Sequence, residues 1–442
     1  MDIVNILLNS PGIEIGSKCF QFCEKLTQIT IPSSVTTIGD HAFYNCFSLT
    51  EVTLPETLAS IGSHAFCECY SLKRITIPPK VTKIEGFMFD NCKSLEEVTI
   101  GESVTTIEIN AFRNCKVLKR ISPLFCLATI GDNAFNGCTQ IEEINIPTTL
   151  REIGNRAFYL CSKLKKIDLP QSLTRIGDLA FDNCFSLTEV TIPSSITVIN
   201  RGAFNQCSKL TSVAIPDSVT MISDDSFRAC NSLEEIKIPS SVSFIGNYAF
   251  ASSQSLKKIE IPSEVKSIGQ YAFFECQSLR EVSILCKIEK IRKFTFSGCK
   301  SLAKINLPES VTRIGLSAFQ NCGALKSISL PSGLTKIGES AFCGCSMLEK
   351  IKIPGSITKI NWSAFEKCMS LTDVTIPESV TSILPNAFYC CSSLIKIEIP
   401  KSVTSIGKNA FGGCMLLKEI ILPSSIDAQN LGLGYRVTVT KF

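Results

Sequence analysis

Leu187-Thr188-Glu189-Val190-Thr191-Ile192-Pro193, followed by Ile196, Ile199, Ala203-Phe204 and Cys207, is one copy of a unit that fills the chain. Phe204 has counterparts every 23 residues from Phe20 to Phe411, eighteen copies with no insertion or deletion. Counted from each Phe as position zero, Cys stands at plus three in 17 of 18 copies, with Ser253 the exception. Leu stands at plus six, replaced once by Ile141. Ile or Val fills plus nine, Ile or Leu plus eleven except at Pro123, and Pro plus twelve in 15 of 18 copies. Val, Leu or Ile follows at plus fifteen, Ile at plus eighteen, often Gly at plus nineteen, and mostly Ala at plus twenty-two.

The alternation at plus nine and plus eleven is the period-two mark of a half-buried strand. Pro then ends the strand, because it cannot donate to a ladder. A 23-residue coil cannot bury its apolar side alone, so coils must stack. The expectation is a β-rich solenoid, an array of about 18 coils with one long parallel sheet. Extended, turn or 3₁₀ structure is expected on the other side, with few or no α-helices. Residues 1–426 read as one array, entered mid-repeat over 1–19 with Ile3, Ile6 and Leu8 in the strand positions. Residues 427–442 read as a C-terminal cap, with a strand somewhere in 431–440. The plus-nineteen column also holds Glu85, Glu108, Arg292 and Leu384, so it predicts tight backbone without positive φ.

The pattern L-x-x-I-x-I-P-x-x-V-T-x-I-G-x-x-A-F-x-x-C resembles the leucine-rich repeat subclass of BspA-like proteins, over nearly the whole chain. The resemblance implies a curved solenoid with its main sheet on the concave side. It also implies a recognition role: family members occur in bacteria and parasitic protists, and several are cell-surface proteins that bind host proteins or other cells. Repeats specify architecture and not ligand, so the functional part of this expectation is analogy.

Composition narrows the alternatives. Of 442 residues, 44 are Lys or Arg and 40 Asp or Glu, a formal net charge of +4. A nucleic-acid binder needs a dominant basic face, so none is expected as partner. No run of 18 apolar residues occurs, and the N-terminal stretch is acidic where a signal peptide is basic. These features favour a cytoplasmic location, the family resemblance a cell-surface one. A recognition solenoid at the surface and an intracellular scaffold for cytosolic partners are therefore both carried forward. No G-x-S-x-G, G-x-x-x-x-G-K-S/T or H-E-x-x-H motif is present, so no catalytic residue and no cofactor is assigned.

Candidate partner-binding residues come from positions that should face solvent. The plus-eight column alternates in sign through Glu51, Arg74, Glu97, Arg120, Glu143 and Lys166. The preceding column repeats the signs in Lys73, Glu96, Lys119, Glu142 and Lys165. Opposite charges on adjacent strands attract, so the rows read first as a self-neutralising ladder and second as a striped surface for a partner. Aromatics at plus twenty-one, Tyr248, Tyr271 and Phe294, and Trp362 one column earlier, read as interface anchors or as semi-buried packing. Two copies break the pattern: Ser122-Pro123-Leu124-Phe125-Cys126 shifts its Pro, and Ile284-Leu285-Cys286-Lys287-Ile288 loses it. Either is local drift or an exposed apolar spot. His41 and His64 in adjacent coils, with Cys67 and Cys69 nearby, do not match a recognised zinc spacing, and no metal site is assigned.

The 23 cysteines divide into the 17 of the plus-three column and six strays, Cys19, Cys67, Cys126, Cys286, Cys343 and Cys390. A column of identical thiols has nothing to pair odd coils with even ones. Ser253 in the same slot points to a hydrogen-bonding role, so buried free thiols are expected.

Overall fold

The computed structural model describes residues 13–442, so the strand positions assigned to Ile3, Ile6 and Leu8 lie outside the described residues. The chain forms two compact units, one ending at Val219 and the other beginning at Thr220. Both are β-solenoids built from the same coil. Among the described residues there is no helix of any kind, so the 3₁₀ alternative is not realised.

The coils contribute to two columns of short parallel strands, a division finer than the single sheet expected, and among the described residues four coils have no strand in the first column. The first column is the predicted one. In the first unit it contains Gln28–Thr30 with Glu51–Thr53, then Arg74–Thr76, Glu97–Thr99 and Arg120–Ser122, then Glu189–Thr191 with Ser212–Ala214. In the second unit it contains Lys258–Ile261, Glu281–Ile284 and Lys304–Asn306, then Lys350–Lys352 with Asp373–Thr375, then Lys396–Glu398 and Glu419–Leu422. Every pairing joins a residue to its counterpart one repeat on, as in Arg74↔Glu97 and Ile75↔Val98. The alternation faces as predicted: Val52, Ile75 and Val98 are buried, and their neighbours Glu51 and Arg74 are exposed.

The second column lies at plus seventeen and plus eighteen. In the first unit it runs through Lys83–Ile84, Thr106–Ile107, Thr129–Ile130, Glu152–Ile153 and Arg175–Ile176 as a five-stranded ladder. In the second it includes Lys290–Ile291, Arg313–Ile314 and Lys336–Ile337. The buried Ile at plus eighteen holds each strand to the core, while plus seventeen faces outward. The last strand of the chain, Thr438–Lys441, pairs parallel with Glu419–Leu422.

Between the second strand and the Cys, each coil turns through two residues of positive φ. One is at plus twenty-one (His41, Phe87, Tyr248) and the other at plus two (Asn45, Glu68, Cys390), mostly without glycine. Positive φ is costly for such residues, and here two ladders of hydrogen bonds hold it in place. Within the coil, Tyr44 N–H donates to His41 O at 3.1 Å and Cys46 N–H to Phe43 O at 3.2 Å. Between coils, His41 N–H donates to Ser63 O at 2.9 Å and Phe43 N–H to Ala65 O at 2.8 Å. Plus nineteen has no positive φ, as the mixed residues there required, but it is tight for another reason. A Cβ on Gly246 would lie 2.4 Å from Asp224 N, because successive backbones touch there.

The core is a stack of identical groups. In each unit the column Phe rings lie 5.1–5.7 Å apart, centroid to centroid, with planes within 12° of parallel. At that spacing near-parallel rings are offset, the favourable arrangement for like quadrupoles, worth about 0.5–1.5 kcal/mol per pair beyond burial. Beside them runs the Cys column. All 23 cysteines are free. From Cys46 on, column thiols donate to the carbonyl of the Phe one coil back, as Cys138 Sγ to Phe112 O at 3.1 Å and Cys276 Sγ to Phe250 O at 3.1 Å. Ser253 makes the same bond to Phe227 O at 2.9 Å. Burial pushes these thiols well above their ordinary range, Cys46 to about 11 and Cys276 to about 12.

Candidate functional site: the charged face of the first strand column

Outward-facing plus-eight residues and their neighbours at plus seven form two parallel charge rows, and the register of the strands brings opposite signs together. Arg74 Nε lies 3.7 Å from Glu97 Oε2. Lys119 Nζ is 3.2 Å from Glu96 Oε2 and Lys165 Nζ 2.7 Å from Glu142 Oε2. In the second unit the same geometry recurs as Lys257–Glu234 at 2.6 Å, Lys258–Glu235 at 3.3 Å and Lys396–Glu419 at 2.7 Å. The lysines beside Glu142 and Glu419 hold those carboxyls below the usual carboxylate range. All these pairs are solvent-exposed, and exposed pairs stabilise weakly, so the rows set coil register more than they add stability.

The first strand column is interrupted at several coils, and the widest gap spans two successive ones. Where Ser122-Pro123 shifts the proline, the ladder ends at Arg120–Ser122, and the next two coils share only the bridge Glu143↔Lys166. Lys166 Nζ turns instead to Asp168 Oδ2, 3.2 Å away. The gap is an open depression of about 650 Å³ lined by Lys119, Arg120, Glu142, Glu143, Lys165 and Lys166, among others. Three of the sequence candidates, Arg120, Glu143 and Lys166, therefore meet around one depression. Arg74 and Glu97 pair on the same ladder, and Glu51 lies opposite Gln28. In the first broken copy Phe125 is 60% exposed, and in the second Leu285 is 58% exposed.

The aromatic candidates separate into two kinds. Tyr248, Tyr271 and Phe294 stack ring on ring at 4.5 and 4.7 Å and are half-buried. His41, His64 and Phe87 make a similar stack at 4.4 and 4.5 Å. Both triplets sit at positive φ, where a large side chain is strained, and the stack holds them there. Trp362 stands outside such a stack and is 52% exposed. Ser63 Oγ lies 2.8 Å from His64 Nδ1. Burial, with His41 alongside, holds the His64 imidazole below its usual range. Among the described residues no group of three or more His, Cys, Asp and Glu gathers to hold a metal.

One pair was not legible in the sequence. Asp90 is buried, and Arg113 of the next coil grips it with two hydrogen bonds, Nε to Oδ1 at 2.9 Å and Nη2 to Oδ2 at 2.6 Å. Plus one is a mixed column, and an acid there followed by Arg one repeat on was the available signal.

Comparison with known proteins places this geometry. Residues 2–119, 128–257, 198–325, 243–360 and 313–431 match the family model described as BspA type leucine rich repeat region (6 copies). A leucine-rich repeat protein from Bacteroides ovatus is 29% identical, and its crystal structure superposes with a TM-score of 0.60, covering 94% of this chain and 92% of that one. A leucine rich cell surface protein from Faecalibacterium prausnitzii is 28% identical, with 89% and 86% covered and a TM-score of 0.39. No curated protein matches the chain.

Proposed function

The chain belongs to the BspA-type leucine-rich repeat family, and from that premise we propose that it is a non-enzymatic protein-recognition solenoid whose partner docks on the first strand column. Solenoids of this class are generally non-enzymatic. The observation that carries the reading is the depression at Arg120, Glu143 and Lys166. The charge rows carry ion pairs between coils, Arg74 with Glu97 and Lys258 with Glu235 among them, and Lys165 with Glu142 at the depression itself. Here two coils share a single bridge in place of a ladder, and Phe125, three residues along the chain from the lining residue Ser122, reaches solvent. A polar rim with an apolar group beside it is the usual anatomy of a protein-binding patch.

The reading is tested by quantitative pull-down with the full chain and with Arg120→Glu/Lys166→Glu. A partner recovered by the parent and lost from the variant supports it. Identical recoveries overturn it. Two settings fit this role, display at a cell surface and an intracellular scaffold. Labelling of intact cells with an impermeant reagent separates them, and among the described residues no helix is long and apolar enough to cross a membrane.

A further inference from the structure

The second strand column of the second unit breaks the charge rule that the first column keeps. Lys290, Arg313 and Lys336 are direct neighbours across three paired parallel strands. Lys359 fills the same position one coil on. All four face solvent. Like charges directly opposite on adjacent strands repel. Among the described residues the row has one ion pair, Lys290 with Glu289 at 3.7 Å. An open cavity of about 540 Å³ runs along it, and Glu339 is its lone acidic lining residue. Beside the row two large apolar side chains reach water: Leu316, which lines the cavity, is 39% exposed, and Trp362, next to the lining residue Asn361, is 52% exposed.

We propose that this row, with Leu316 and Trp362, is a docking surface for an acidic amphipathic α-helix of a partner protein. The repeat distance selects the helix. Parallel strands put one cation about every 4.8 Å, roughly 14 Å over the four coils. A helix presents one carboxylate per turn, at i, i+4, i+7 and i+11, advancing about 5.4 Å each time and roughly 16 Å in all. Side-chain flexibility absorbs a difference of about 2 Å. An extended acidic peptide repeats on one side every ~6.7 Å and drifts out of step by about 6 Å over the same row. A single-stranded nucleic acid needs a series of aromatic faces to stack on. The row is flanked by one tryptophan and one leucine, which suit the apolar stripe of an amphipathic helix instead. Trp is the commonest kind of anchor at such interfaces. This surface is separate from the depression at Arg120 and does not depend on the role assigned there.

The test is fluorescence anisotropy of the full chain with a synthetic helix of roughly 20 residues carrying Glu at i, i+4, i+7 and i+11 beside a Leu stripe. Binding should be saturable and weaken with salt. Arg313→Glu/Lys336→Glu should weaken it tenfold or more, and Trp362→Ala about tenfold. Arg120→Glu/Lys166→Glu should leave it unchanged. A peptide of the same composition with Glu at every second residue should bind at least about tenfold more weakly. The double reversal gives Lys290 an opposite charge across the ladder and leaves 313 and 336 alike, so the melting temperature should not fall. If it does, Arg313→Gln/Lys336→Gln reads the same loss. Equal binding of the two peptides, tighter binding of oligo-dT or heparin than of the helix, or indifference to the row substitutions would each overturn the proposal.

Discussion

The interior and exterior columns of the coil obey opposite rules. Inside, the same group repeats almost without variation: Phe stacks on Phe, and column thiols bond the carbonyl one coil back. A neutral group that both packs and donates along the axis tolerates identical neighbours indefinitely. Outside, a charge cannot repeat without repulsion, so the first strand column alternates, Arg74 with Glu97 and Lys258 with Glu235. Uniformity is thus cheap in the core and expensive on the surface. An exterior row that is nonetheless uniform, as at Lys290, Arg313 and Lys336, stands out because nothing in coil stacking asks for it.

The largest effect should come from ionising the uniform interior. Burial raises the thiols, to about 11 at Cys46 and about 12 at Cys276 and Cys414, so the folded chain holds protons that the unfolded chain releases near pH 9. Their stabilisation is complete below that pH and is lost as pH rises from about 9 toward the folded values. Each thiol contributes up to about 1.4 kcal/mol per pH unit in that window, and the column has 17. The melting temperature should be level from pH 7 to 8.5 and fall steeply above pH 9. A flat profile to pH 10.5 would mean that the column is not buried as a set of neutral thiols. In the native chain at neutral pH a thiol reagent should modify the exposed Cys19 and Cys126 rapidly and the buried column cysteines from Cys46 on only on unfolding.

Next comes the charge that is exterior in kind but interior in position. Arg113→Ala strands the buried Asp90 carboxylate and should destabilise the fold by about 2–3 kcal/mol in urea titration, the lower side of the range for a broken buried pair because Arg113 itself is partly exposed. Asp90→Asn/Arg113→Leu, which removes both charges, should recover most of that loss. Smaller again is the same experiment on the surface. Glu97→Lys sets three cations in successive coils with Arg74 and Arg120 and should cost about 1 kcal/mol at low salt, shrinking as salt is added. Arg313→Glu makes the reverse change and should stabilise by a similar or smaller amount. Opposite signs for these two substitutions are what the comparison requires. Equal signs would show that exterior charge patterning does not set coil stability.

Much of this was legible in the sequence because one error-free period fixes every column at once. The register i to i+23, the buried faces of Val52 and Ile75 and the free Cys column all follow from it. The second strand column was harder to read. A two-residue strand such as Lys83–Ile84 has no alternation to detect, and only pairing with its copies makes it a strand. The positive-φ columns were hidden for a different reason. Glycine marks such positions when sterics alone decide, but stacking and inter-coil hydrogen bonds let Tyr248 and Asn45 occupy them. The depression at Glu143 could be approached through the shifted Pro123, yet its lining required knowing where the ladder breaks. The row at Lys290 was equally present in the sequence, and reading plus seventeen column-wise, as plus eight was read, reveals it.

The smallest effect tests why the interior column is Cys at all. Cys161 donates to Phe135 O at 3.3 Å, and Ser253 fills the same slot with a shorter bond of 2.9 Å. If the hydrogen bond is what the column repeats, Cys161→Ser keeps the donor and loses only the packing of a larger atom, so its cost should stay below about 1 kcal/mol. Cys161→Val keeps apolar volume but leaves that acceptor of Phe135 without its side-chain donor, and it should cost more, about 1–2 kcal/mol. Melting of the two variants side by side decides. A Val variant as stable as the parent would make the column a matter of volume alone. The uniformity of the interior would then reflect nothing more than a repeated space of one size, and the contrast with the alternating exterior would lose its chemical basis.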